Sequence, residues 1–141
     1  MTLSQSDQVR LGAVWIPCSN QAPCLARREM SRWIGSSNPA WETIGLVVSE
    51  LVSNAVRHAD CAEPGDLIQV ALCQKDEFYR VEVTDSGSLF STPHKRPPTD
   101  ESEHGRGLQI VHALSEGRWG SYSCGQGLGR TVWCELRAAS C

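Results

Sequence analysis

Two short runs constrain the fold more than anything else in the chain. Ile68, Val70 and Leu72 alternate with Gln69 and Ala71, and Tyr79, Val81 and Val83 alternate with Arg80, Glu82 and Thr84. A period of two makes one side of each run apolar, so both read as half-buried strands joined by a polar hairpin at residues 75–77. A sheet with one apolar face requires a second layer, and the rest of the sequence offers helices for it. Residues 20–34 carry Ala22, Leu25, Ala26, Met30, Trp33 and Ile34 at helical spacing, with Gly35 as a stop. Pro39 opens a longer helical segment reaching about His58, with Ile44, Val47, Val48, Leu51 and Ala55 on its core face.

Leu108, Val111, Ala113 and Leu114 restore a helical pattern later in the chain. An edge strand over residues 11–17, ending in Pro17, and strands near 119–124 and 130–137 complete the series. The order is strand, two helices, two strands, long loop, helix, two strands. It predicts an α/β fold in two layers, a mostly antiparallel sheet covered on one face by about three helices. The chain has 141 residues, which suits one domain over residues 11–137 with a flexible N-terminus over 1–10 and a tail over 138–141. Residues 86–104 contain Pro93, Pro97 and Pro98 and charges of both signs without periodicity. A loop of that length in a compact domain is either functional or disordered.

The net charge of −3 argues against a general nucleic-acid binder, which needs many Lys and Arg contacts to phosphate. No run approaches the ~20 apolar residues of a membrane span, and residues 1–9 lack an apolar signal core, so a soluble cytoplasmic protein is expected. Seven cysteines form no C-x-x-C pair, which disfavours zinc and a disulfide framework. They read mostly as small buried hydrophobes, with Cys24 and Cys141 as the candidates for exposed thiols.

Four stretches carry candidate chemistry. On the long helix, at about 100° per residue, Asn54 falls about 40° from Glu50, His58 about 80°, and Arg57 about −20°, so these four polar side chains share a face. A solvated stripe explains such a face, yet Asn is a poor interior helix former that normally seeks caps and turns. Second, Asp85 and Gly87 in D-S-G-S end an alternating strand. A carboxylate there can accept a hydrogen bond from the amino group of an adenine edge, with glycine giving way to a flat ring; an ordinary turn has the same composition. Third, H-G-R-G-L over residues 104–108 leads from the loop toward a helix. Glycines before a helical N-terminus leave N–H groups for phosphate oxygens, or are loop punctuation. Fourth, G-L-G-R-T-V-W over residues 127–133 is a hairpin turn entering a strand, or offers the Thr131 hydroxyl to a ligand.

The order and spacing of S-E-L-V-S-N-A-V-R-H-A over residues 49–59, D-S-G, a loop, H-G-R-G-L and G-R-T-V-W resemble the GHKL ATPase superfamily. Within it the chain resembles the stand-alone anti-sigma-factor serine kinases of bacteria. The resemblance spans about residues 11–136 and implies the Bergerat-type two-layer sandwich, with ATP and Mg²⁺ as cofactors. It implies that Asn54 ligates Mg²⁺ and that Glu50 is the catalytic base. It implies Asp85 and Gly87 at adenine, and Gly105, Gly107 and Leu108 at the phosphates. Arg57, His58, Arg106 and Thr131 are further ATP-contact candidates, and residues 89–104 would form the ATP lid. One departure is Leu89, where histidine kinases usually have a second glycine. A complete histidine kinase with an upstream phosphoacceptor segment is not expected, nor are His58 and His112 expected to carry phosphate. It is too short for the transducer domain of gyrase-like ATPases.

The function implied is an ATP-dependent serine/threonine-protein kinase that sequesters a sigma factor and phosphorylates an anti-anti-sigma protein of the STAS type. No direct nucleic-acid or membrane contact is expected, and a homodimer is a family expectation. The alternative is a nucleotide-gated protein-binding regulator with little or no kinase activity, with redox control through the cysteines compatible with either.

Overall fold

The computed structural model describes residues 8–58, 65–85, 101–123 and 129–138, without the side chains of residues 58 and 101–106. The elements are β1 (Val9–Pro17), α1 (Ala22–Ile34), α2 (Trp41–His58), β2 (Leu67–Lys75), β3 (Phe78–Asp85), α3 (Glu101–Ser115), β4 (Trp119–Ser123) and β5 (Arg130–Arg137). The five strands form one sheet in the order β1-β2-β3-β5-β4, and every neighbouring pair is antiparallel. This is the α/β two-layer architecture expected from the alternating runs.

The β2–β3 hairpin turns at Asp76, whose φ of 55° an aspartate tolerates better than most side chains. In the register, Leu72 faces Val81 and Val70 faces Val83, and β5 continues the row with Cys134 opposite Val81 and Val132 opposite Val83. These rows form the sheet's contribution to a core that also holds Ala26 and Met30 of α1, Ile44, Val47, Val48, Leu51 and Val52 of α2, and Val111 of α3. Alternation places Arg80, Glu82 and Glu135 on the opposite side of the sheet, beside buried Ala71 and Cys73.

Two helix starts and the state of one cysteine differ from the sequence expectation. First, α2 begins at Trp41 rather than Pro39. Asn38 replaces the proline as the organising residue: its Oδ1 accepts the Ala40 N–H at 2.8 Å, and its Nδ2 donates to the Tyr79 hydroxyl at 3.1 Å. Second, α3 begins at Glu101, so residues 101–104, assigned to the lid from the sequence, are helical. Third, Cys18 is disulfide-bonded, although the cysteines read mostly as small buried hydrophobes, whereas Cys24, Cys73 and Cys134 are free. Cys61, Cys124 and Cys141 lie outside the described residues. Burial, opposed by a hydrogen bond with Ser115, pushes the Cys134 thiol up to about 12, so it stays protonated at neutral pH.

No helix among the described residues is long and apolar enough to cross a membrane.

Candidate functional site

Helices α2 and α3 run antiparallel along the sheet. Near the start of α2, Thr43 shares a cavity of about 170 Å³ with Leu114 and Ser115 at the end of α3. Seven residues later in α2, and seven earlier in α3 than Leu114, Glu50 meets Gly107: a Cβ placed on Gly107 would stand 2.6 Å from Glu50 Oε1. From there the register carries Asn54, one turn or about 6 Å further along α2, level with the first turn of α3. That turn has four backbone N–H groups with no carbonyl inside the helix, at the positive end of the helix dipole.

Glu50 and Asn54 are half-buried, and Arg57 is exposed. None of the three makes a hydrogen bond or ion pair with another described residue. The structure therefore keeps a carboxylate and an amide side by side on one helical face with their polar atoms uncommitted. Ser49 adds a buried hydroxyl without a hydrogen-bond partner beside them in sequence.

The position of the glycines differs from the sequence expectation. Gly105 and Gly107 are not ahead of the helix but are its fifth and seventh residues. At those positions a helical amide points to the carbonyl four residues back, so the amides left for an anion are those of residues 101–104. The early start went unseen because residues 101–106 show no apolar periodicity and include one of the two glycines. Leu108 is half-buried on the same helix.

At the end of the sheet, Asp85 closes β3 opposite Ile68 of β2, half-buried. Gly129, with φ of 92°, lies directly against it: a Cβ on Gly129 would meet the Asp85 carbonyl oxygen and stand 2.8 Å from its Oδ1. Beside this contact the hydroxyls of Thr84 and Thr131 lie 2.8 Å apart, with Thr131 buried. Sequence reasoning selected Asp85 and Thr131 but missed Thr84 and Gly129. The pairing of Thr84 with Thr131 across β3 and β5 joins residues 47 positions apart, which no local pattern announces.

Gly87 lies outside the described residues, as do the side chains of His58 and Arg106. Among the described residues no group of three or more His, Cys, Asp or Glu side chains could hold a metal alone. The arrangement instead suits a ligand that brings its own anionic groups. Asn54 supplies one hard oxygen, α3 supplies unpaired amides, and the glycine contacts at 107 and 129 keep backbone close to the two carboxylates.

A family profile described as a histidine kinase-like ATPase domain matches residues 20–133. A search among curated proteins returned no match.

Proposed function

The chain belongs to the histidine kinase-like ATPase domain family, and from that premise we propose that it is an anti-sigma factor with serine/threonine-protein kinase activity. In this proposal it sequesters a sigma factor and phosphorylates a STAS-type anti-anti-sigma protein. The family implies ATP binding with a regulatory or kinase-like function. The observation that carries the finer proposal is the uncommitted Glu50 carboxylate, one helical turn from Asn54 and against Gly107. Such a carboxylate is free to accept a proton, which transfer to a hydroxyl requires and nucleotide binding alone does not.

Bound ATP with Mg²⁺ would supply the γ-phosphoryl group and the positive charge that stabilises its transfer. Asp85 accepts a hydrogen bond from the adenine amino group, with Gly87 leaving room for the ring and Thr131 beside it. Asn54 offers its side-chain oxygen to the metal. The unpaired amides of the first turn of α3 hold the phosphates, with Arg106 as a further contact, and Arg57 and His58 follow Asn54 in α2 as additional candidates. Glu50 accepts the proton from the substrate serine hydroxyl as the new O–P bond forms.

Labelled ATP incubated with the purified chain and candidate anti-anti-sigma proteins from the same genome tests the proposal. Transfer to a serine of one candidate is expected, with Glu50→Ala retaining ATP binding and losing transfer. Normal transfer by Glu50→Ala refutes the base assignment. ATP-dependent partner capture that survives this substitution, with no transfer by the unaltered chain, would favour a nucleotide-gated regulator.

A further inference from the structure

Seven large apolar side chains stay exposed among the described residues, and three of them, Leu46, Ile110 and Leu114, fall on α2 and α3. Exposed apolar residues scattered singly are ordinary, but these three adjoin. The antiparallel register of the two helices is fixed at both ends, by Thr43 beside Leu114 and by Glu50 against Gly107. Between those points Leu46 and Val47 of α2 lie level with Ile110 and Val111 of α3. Val47 and Val111 are fully buried and form the inner line of the seam. Leu46, 44% exposed, and Ile110, 37%, form the outer line, which Leu114 continues.

Leu46 and Glu50 are four residues apart, as are Ile110 and Leu114, so each pair shares one helical face. The outer line therefore leads from the end of α3 to the Glu50 carboxylate over roughly 10 Å, two helical turns. We infer that this line is where the protein receiving the phosphoryl group docks, through an amphipathic helix whose apolar face is bordered by Lys or Arg. The inference rests on the reading of Glu50 as the proton acceptor in transfer to a protein hydroxyl.

Two observations choose that occupant. The first is continuity: a hydroxyl presented to Glu50 brings its carrier against the adjoining turns of α2 and α3, and those are the turns with exposed apolar side chains. The second is charge. Exposed Glu42 stands one turn before Leu46, Glu50 one turn after it, and exposed Glu116 follows Leu114, so carboxylates border the line along its length. Cations on a partner complement them. The exposed face of α1 carries Arg27, Arg28 and Arg32 and offers no such strip. A helix seated in a groove between two others is held through residues at i, i+3, i+4 and i+7. The acceptor hydroxyl should then fall within about two turns of those apolar residues.

The test uses the full chain and a STAS-type protein of the same genome that accepts label from ATP. The unaltered chain is compared with the triple variant Leu46→Gln/Ile110→Gln/Leu114→Gln, with Glu42→Lys, and with Leu67→Gln, an exposed apolar residue on the sheet. ATP affinity, ATP hydrolysis without acceptor, thermal midpoint, sedimentation, and the KM and kcat of transfer are measured. For the triple variant, KM for the acceptor is expected to rise by roughly 30–100-fold with kcat within about threefold. Its ATP affinity and basal hydrolysis should be unchanged, and its thermal midpoint should stay within about 3 °C. Glu42→Lys should raise KM by roughly 3–10-fold, less at high salt. Leu67→Gln should leave KM unchanged.

An unchanged KM in the triple variant overturns the inference while leaving the kinase reading intact. So does a fall in kcat at unchanged KM, because the line would then tune Glu50 rather than hold a partner. Altered sedimentation of the triple variant with unchanged KM would assign the line to a second copy of the chain and overturn the inference equally. Failure of every candidate to accept phosphate, or full transfer by Glu50→Ala, would sink the catalytic reading itself and the docking surface with it.

Discussion

At the hairpin end of the sheet, carboxylates are held by arginines; along the α2–α3 seam, Glu50 lies against Gly107 with no partner among the described residues. Arg80 donates through Nε to Glu82 at 2.7 Å and through Nη1 to Glu135 at 3.1 Å, with its guanidinium 4.4 Å above the Trp133 ring. Arg118 reaches Glu135 at 3.0 Å and covers Phe78, and Arg137 reaches Glu77 at 2.8 Å. Burial works against the Arg80 charge, but its hydrogen bonds and attraction to Glu82 and Glu135 outweigh that and raise its pKa. Glu50 has no such partner among the described residues. The difference separates two uses of the same functional group. A paired carboxylate fixes strands to one another, whereas an unpaired one keeps its lone pairs for another molecule.

The comparison can be broken at either region. The largest effect on stability is expected for Arg80→Ala, which leaves Glu82 and Glu135 half-buried without their shared cation and removes the stacking on Trp133. A loss of about 2–3 kcal/mol in unfolding free energy is expected, with ATP affinity unchanged. Denaturant unfolding and nucleotide titration of the same variant check both halves; a loss of affinity would mean that the network supports the site after all.

A smaller effect lies in the core beneath that network. The raised Cys134 pKa favours the neutral thiol in the folded state. Its contribution is therefore fully present below pH 9.0 and is lost as pH rises toward about 12. Unfolding measured between these values should show an alkaline decline that Cys134→Val reduces. At pH 8, alkylation should reach exposed Cys24 while buried Cys73 and Cys134 react only on unfolding. Rapid labelling of Cys134 in the folded chain would contradict the assigned burial.

Much of this is legible in the amino-acid sequence. The alternation from Ile68 to Val83 announced a half-covered sheet, and an asparagine deep in an apolar-faced helix marked Glu50 and Asn54. What the sequence could not convey depends on distant partners. β5 inserts between β3 and β4, a neighbour relation that hairpin reasoning cannot supply after a long connection. The start of α3 at Glu101 was hidden by a polar, glycine-containing stretch. The two glycine contacts, at Glu50 and Asp85, join residues far apart in the chain and exist only once helices and strands have packed.

The central claim is that nucleotide binds at the Asp85 end of the sheet and not elsewhere on the chain. Calorimetric titration of ATP with Mg²⁺ into the unaltered protein, Asp85→Asn and Arg80→Ala tests it most directly. The account predicts binding by the unaltered chain, a loss of roughly 100-fold for Asp85→Asn from the removed charge-assisted hydrogen bond, and unaltered affinity for Arg80→Ala. Equal affinity in all three proteins would contradict it.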